Sequence, residues 1–259
     1  MTDYLDILAK DTAKTIRQGY YEDIIPVKPV ETSLKEEILK CNGNPVISEI
    51  KFASPSQGRL REDRNPKRVA KEMEEGGAIG ISVLTEPRHF QGKIEFIPQI
   101  RGEIEIPILM KDLFLTFSQI DAAHEIGANA ILMIQALFQR GYCQEGITEM
   151  IDYAHSRRLE VLLEVHTEEE FLSACEEETD MIGVNNRDLG TLDVNLEVTE
   201  DILTSHPPED KIIVSESGIK DPRDIRLLRR CGAQAFLVGT SIMNSKDITA
   251  KVKELVETL

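Results

Sequence analysis

The chain is short of the residues that build disulfides and metal centres. Its four cysteines, Cys41, Cys143, Cys175 and Cys231, form no C-x-x-C pair, and none stands at metal-ligand spacing from a histidine. The five histidines, His89, His124, His155, His166 and His206, are scattered and give no H-E-x-x-H pattern. These absences argue against a disulfide framework and a metal site, and they imply a reducing, cytoplasmic compartment. Apolar runs of membrane-spanning length are missing too, and the N-terminus alternates charges where a signal peptide carries an apolar core. Positive charge is scarce: 30 Lys and Arg stand against 46 Asp and Glu, a net charge of -16. Such a chain is a poor partner for nucleic acid or an anionic membrane, and its acidity reads as a solvated surface. An anionic substrate would need a local basic pocket.

What is present is an alternation. With 259 residues and 41% hydrophobic content the chain can bury one large core, and barrels of alternating strands and helices reach this size as single domains. Short, near-continuous apolar runs read as parallel strands covered on both faces. They are Val46–Ile50, Ile79–Leu84, Ile108–Met110, Ala130–Ile134, Val161–Val165, Met181–Val184, Ile212–Ser215 and Ala235–Val238. Amphipathic segments lie between them, among them Pro66–Glu75, Ser118–Ile126, Gln144–Arg157, Glu168–Glu176 and Pro222–Arg230. Gly77-Ala78, Gly127-Ala128 and Gly232-Ala233 each stop a helix and enter a strand, at multiples of about 25 residues, a sensible length for one unit of an eightfold barrel. The expected fold is α/β, a (β/α)8 TIM barrel with an N-terminal helical extension. No linker stands out, so residues 1–44 are read as an extension of the same domain and 45–259 as the barrel. The extension carries two amphipathic patterns, Tyr4 to Tyr20 and Leu34 to Leu39. Helical pattern alone leaves open a plug under the barrel, packing on its side, or a lid over its mouth.

Active sites of such barrels sit at the C-terminal ends of the strands. The segment Pro45–Gly58 passes from a buried strand into a loop of small residues, and side chains alternate along a strand, so Glu49 and Lys51 face the same side. Two charges on an apolar strand are costly to bury, which places them at a polar mouth. Other strand ends repeat the signal. The third runs into Lys111-Asp112, the fifth ends at Glu164, the sixth at Asn185 with Arg187 beyond, and the seventh at Glu216-Ser217. Scattered surface charge should not fall at that phase so often. Ser217-Gly218-Ile219 and Gly239-Thr240-Ser241 are small residues entering helices, where backbone N–H groups can approach a phosphate.

These motifs resemble the indole-3-glycerol phosphate synthase family. The matching segments are Ser48-Glu49-Ile50-Lys51 with Ser54-Pro55-Ser56, Val83-Leu84-Thr85-Glu86, Lys111-Asp112, Leu163-Glu164-Val165-His166, Gly183 through Leu189, and Ser215 through Ile219. The resemblance implies closure of the indole ring of 1-(2-carboxyphenylamino)-1-deoxyribulose 5-phosphate, with loss of carbon dioxide and water. It implies no metal or organic cofactor and an extension lying over the mouth; the expected partners are a small phosphorylated substrate and at most a further copy of the chain, as a monomer or weak homo-oligomer. By the same resemblance Lys111 is the general acid, Glu164 an acid/base group whose work Glu49 shares, and Lys51 a holder of the substrate carboxylate that helps in proton transfer and touches the phosphate. Asn185, Arg187, Glu216 and Ser217 position hydroxyls and charged groups. Gly218, Gly239 and Thr240 hold phosphate, and Ser54, Phe90 and Leu113 contact the substrate. Leu113 stands where the family usually has Phe, with Phe114 one residue later. Two other readings compete. One is a sugar-phosphate isomerase barrel, which would need Cys or Asp at the strand ends. The other is a non-catalytic binding barrel, which would have no use for buried charges.

Overall fold

A computed structural model describes residues 3–257 apart from 29, 55–57, 62–64 and 209. Eight parallel strands close a barrel: β1 (Val46–Ile50), β2 (Gly80–Leu84), β3 (Ile108–Lys111), β4 (Ala130–Ile134), β5 (Glu160–Val165), β6 (Met181–Asn185), β7 (Ile212–Glu216) and β8 (Ala235–Val238). Each pairs with its neighbours in chain order, and β8 closes on β1 with Ser48 opposite Val238. Helices connect the strands on the outside, as the alternation in sequence implied.

Two cores follow from the period-two alternation. Val46, Ile81, Met110, Ile131, Leu163, Val184, Ile213 and Phe236 point outward and pack beneath the helices. Ile47, Leu109, Leu132, Leu162, Val214 and Leu237 point inward and fill the barrel. The barrel interior is therefore a packed core, with a cavity at its top. Three strands run one residue beyond their apolar runs, so that Lys111, Asn185 and Glu216 are the last paired residues rather than the first loop residues. A polar side chain ends an apolar run but does not end backbone pairing. Gly232, at the end of the helix Pro222–Cys231, has φ 113°, the left-handed cap that its sequence position suggested.

The N-terminal extension divides between the two ends of the barrel. Helix α1 (Tyr4–Arg17) lies over the mouth, with Leu5 and Leu8 buried in the interior core beside Leu113 and Ile134. Its N-cap is Asp3, and Arg140 pairs with Asp3 at 2.6 Å and with Asp6 at 3.0 Å. Helix α2 (Leu34–Lys40) lies under the base. Leu34 is fully buried, and its N–H donates to Glu160, the first residue of β5, at 2.7 Å. Between them the chain descends the outside of the barrel. Tyr20 Oη donates to the Thr85 carbonyl near the top, Val27 N–H donates to the Glu125 carbonyl, and the Asn129 amide donates to the Val30 and Thr32 carbonyls at the start of β4. The expectation of a lid thus holds for α1, while α2 is a plug. Both helices are amphipathic, and each apolar face takes the barrel end that the connecting strand of chain can reach. Among the described residues no helix is long and apolar enough to cross a membrane.

Leu34 packs against the space where Gly80, the first residue of β2, has no Cβ. Leu34→Ala should leave a cavity beneath a closed barrel end and cost about 2–4 kcal/mol in urea unfolding.

Candidate active site

In a barrel of this kind, alternate strands contribute the side chains of one layer. Here the odd strands place Ile47, Leu109, Leu162 and Val214 in the interior core. Two residues further along the same strands stand Glu49, Lys111, Glu164 and Glu216. One apolar layer therefore supports one charged layer. Lys111 Nζ lies 2.5 Å from Glu216 Oε2 and 3.1 Å from Glu164 Oε2, contacts made across the barrel from β3 to β7 and β5. Lys51, just past β1, pairs with Glu49 at 2.5 Å. The carboxylates of the layer are 3%, 2% and 1% exposed at Glu49, Glu164 and Glu216, so none is held by bulk water.

Two glycines make room for them. A Cβ at Gly183 on β6 would overlap Glu216 Oε1, and one at Gly239 after β8 would overlap Glu49 Oε1. The absence of a side chain at each position is part of the geometry of the neighbouring carboxylate.

The two carboxylates that share Lys111 differ in proton affinity. Burial works against charge on Glu164, but Lys111, His166 and an Asn185 hydrogen bond hold it ionised well below the usual carboxylate range. Burial dominates at Glu216, and the negative charge of Glu164 adds to it, so its pKa is pushed up to about 7 in spite of Lys111. Glu216 Oε1 has no hydrogen-bond partner among the described residues, which accords with that difference. Burial also disfavours charge on Lys111, yet Glu216, Glu164 and Glu49 together raise its pKa above the ordinary lysine value. Glu49 is pushed up by burial and brought down further by Lys51 and Lys111, with a net lowering. The layer therefore contains an ammonium, two carboxylates held ionised, and in Glu216 a carboxyl that binds its proton more tightly than either.

Above the layer opens a cavity of about 640 Å3. It gathers Glu49, Lys51, Phe90, Lys111, Leu113, Glu164, Asn185, Arg187, Glu216, Ser217, Gly218, Gly239 and Thr240, residues from every part of the barrel. Ser54 is the exception. Its backbone pairs with Gly58 between two strands of two residues each, Ala53–Ser54 and Gly58–Arg59, while its side chain, with Pro55 and Ser56, lies outside the described residues. One wall is apolar and includes Leu5 and Leu8 of α1 with Phe90, Leu113 and Ile134. Phe114 does not replace Leu113 in this wall, because it faces outward into the core beneath the helices. Opposite are the turns after β7 and β8. Ser217 and Gly218 have φ of 65° and 89°, and a Cβ on Gly218 would come within 2.6 Å of Val194.

The mouth is not simply basic, as an anionic substrate had suggested. Lys51, Lys111, Arg187 and Lys220 face it together with Glu49, Glu86, Asp112, Glu164, Glu216 and Asp224. Anion binding is consequently a local matter of particular cations and backbone N–H groups, not of net charge.

Three supporting residues had no role assigned from sequence. Asn186 is buried, and its amide donates to the Glu216 carbonyl at 2.9 Å and the Ser217 carbonyl at 3.1 Å, fixing the left-handed turn. Its signal was the doubled asparagine at the end of β6, within the segment Gly183 through Leu189. Asp112 is buried beside Lys111 and accepts from Tyr21 Oη at 3.0 Å, Thr85 Oγ1 at 2.5 Å and the Leu113 N–H at 2.8 Å. It ties the chain after α1 to the strand that carries Lys111. His166 stands 3.2 Å from Glu164 and was signalled only by its place two residues after that glutamate.

The family model for indole-3-glycerol phosphate synthase matches residues 9–255. The chain is 42% identical to the indole-3-glycerol phosphate synthase of Methanocaldococcus jannaschii over 95% of its own length and 92% of the relative's. It is 38% identical to that of Thermococcus kodakarensis, over 86% of this chain and 97% of the other. Among solved structures, a thiamine phosphate pyrophosphorylase from Pyrococcus furiosus matches with a TM-score of 0.60 at 17% identity, covering 86% of this chain and 96% of that one, and this likeness shows the fold alone.

Because Glu216 occupies the space at Gly183, the variant Gly183→Ala forces a carboxylate away from its lysine. It should cost about 1–3 kcal/mol in urea unfolding, the usual penalty of overpacking, even though alanine suits a strand better than glycine.

Proposed function

The chain belongs to the indole-3-glycerol phosphate synthase family, and from that premise we propose how its mouth divides the reaction. The enzyme is a carboxy-lyase of tryptophan biosynthesis that converts 1-(2-carboxyphenylamino)-1-deoxyribulose 5-phosphate to indole-3-glycerol phosphate, carbon dioxide and water. The observation that carries the assignment of roles is the single layer in which Lys111 touches both Glu164 and Glu216.

The ring carbon bearing the carboxylate attacks the ketone carbon and the new C–C bond forms. The carbonyl electron pair moves to oxygen, and Lys111 gives that oxygen its proton. The carboxylate then leaves as carbon dioxide, and the electrons of its C–C bond restore the benzenoid ring. In the last step Glu164 removes a proton from the methylene carbon next to nitrogen. The hydroxyl departs as water with a proton from Lys51, whose charge Glu49 supports. Two protons are given and one is taken, so one proton enters from solvent per turnover, as loss of a carboxylate as neutral carbon dioxide requires. Asn185, Arg187, Glu216 and Ser217 orient the sugar hydroxyls and the charged groups.

The phosphate lies at Gly218, Gly239 and Thr240, with Lys51 at its edge. Support for this is that Gly218, Gly239 and Thr240 line one cavity together with Lys51, and that β1 and β8 are adjacent strands, paired up to Ser48 opposite Val238. The aromatic ring lies against Phe90 and Leu113, with Ser54 contacting substrate from the loop after β1. Every proton step is assigned to a side chain of the chain itself, so the reading calls for no metal or organic cofactor. A cytoplasmic enzyme, monomeric or weakly homo-oligomeric and with residues 1–44 part of the catalytic unit, accords with four free cysteines and with a lid that contributes Leu5 and Leu8 to the cavity. The acidic charge of -16 accords with the lack of a nucleic-acid or membrane partner.

Incubation of purified protein with the carboxyphenylamino-deoxyribulose phosphate should generate indole fluorescence, and its absence with folded protein would overturn the reading. Lys111→Ala and Glu164→Gln should each lower kcat by about 100- to 10,000-fold, the span of general acid–base catalysis, with KM changed less than about tenfold. An unchanged kcat in either variant would refute the role given to that residue.

A further inference from the structure

His166 is a buried titratable group that the reaction scheme leaves unused. It follows β5, and its side chain is 7% exposed. It stands between two carboxylates, with Nε2 3.2 Å from Glu164 Oε1 and Nδ1 3.5 Å from Glu170 Oε2. Neither ring nitrogen has an aligned hydrogen-bond partner among the described residues, so these contacts are ion pairs. Glu170 is itself fixed and buried in the first turn of the helix Glu168–Cys175. Its Oε2 accepts the His166 backbone N–H at 2.7 Å, and its own N–H donates to Thr167 Oγ1 at 3.2 Å.

A neutral imidazole presents one N–H and one lone pair. Between two buried carboxylates that lone pair would face an anion, whereas an imidazolium gives each carboxylate a proton to meet. The groups around the ring point the same way. Glu164 on β5, Glu170 on the following helix and Asp188 after β6 are acidic, and Lys111 on β3 lies beyond Glu164. Burial disfavours the charged ring, but Glu164 and Glu170 outweigh it and push its pKa up to about 9.

We propose that His166 is a positioning residue: a buried imidazolium, anchored by Glu170, that keeps Glu164 ionised and aimed at the substrate independently of Lys111. This rests on Glu164 being the base. Lys111 surrenders its proton in the first step, and a carboxylate whose only counter-charge was Lys111 would lose it there. His166 takes part in no bond change, so its charge remains throughout the cycle. It also prevents Glu164 and Lys111 from merely exchanging a proton with each other.

Two measurements test this. In 15N spectra of the protein without substrate, the His166 ring, identified by its loss in His166→Gln, should carry protons on both nitrogens at pH 7. In Glu170→Gln the same ring should titrate at lower pH. A neutral ring at pH 7 in the unsubstituted protein would overturn the proposal, whether or not the enzyme turns over. In the pH–rate profile, His166→Gln should move the acidic limb of kcat upward by about one pH unit or more, because a carboxylate without its cation holds its proton more tightly. KM should stay within about threefold of its original value. A fall in kcat with the acidic limb unmoved would mark a packing role and overturn the proposal. A doubly protonated ring in a protein that makes no indole product would sustain the charge assignment and count against the functional reading instead.

Discussion

The ammonium of Lys111 at the centre of three buried carboxylates is the constraint on which the rest of the mouth depends. Taking charges out of water is expensive, and a pair repays it only with good geometry. Here the geometry comes from the barrel. Four strands present one residue each at the same height, an apolar layer below keeps water out, and two glycines leave clearance for carboxylate oxygens. Breaking any contact would leave an uncompensated charge. The ion cluster is therefore weak evidence for stability and strong evidence for a task.

The difference between Glu164 and Glu216 shows how environment separates identical side chains. Both touch Lys111, and the shorter contact belongs to Glu216. Yet Glu164, with His166 and Asn185 as further partners, is the firmly ionised one. The number and charge of partners outweigh the difference between contacts of 2.5 and 3.1 Å, and chemistry that needs a base distinct from an exchangeable carboxyl has both within one layer.

Much of this was legible in the sequence. Period-two alternation gave the strands and the phase of Glu49 and Lys51, and the ends of apolar runs located Lys111, Glu164, Asn185 and Glu216. What pattern could not give was proximity across the barrel, since Lys111 and Glu216 are 105 residues apart. Nor could it give the negative space at Gly183 and Gly239, which is a relation between two strands and a property of neither. His166 looked like one of five scattered histidines because its second partner, Glu170, belongs to the next helix. The two helices of the extension carry similar patterns, and only the path of the chain between them decides which end of the barrel each one covers. Leu113 and Phe114 show the same limit on a smaller scale: one residue of phase separates a cavity wall from the outer core.

The descending segment between α1 and α2 is fastened at intervals, by Tyr20 to Thr85, Tyr21 to Asp112, Val27 to Glu125 and Val30 and Thr32 to Asn129. It acts as a leash of fixed length. Above Tyr20 the helix over the mouth is held at its far end by the pairs of Arg140 with Asp3 and Asp6, and below Tyr21 the chain is pinned to the barrel. The leash is made fast at Asp112, the residue adjoining Lys111, so the anchor of the lid and the central ammonium of the mouth share one strand end.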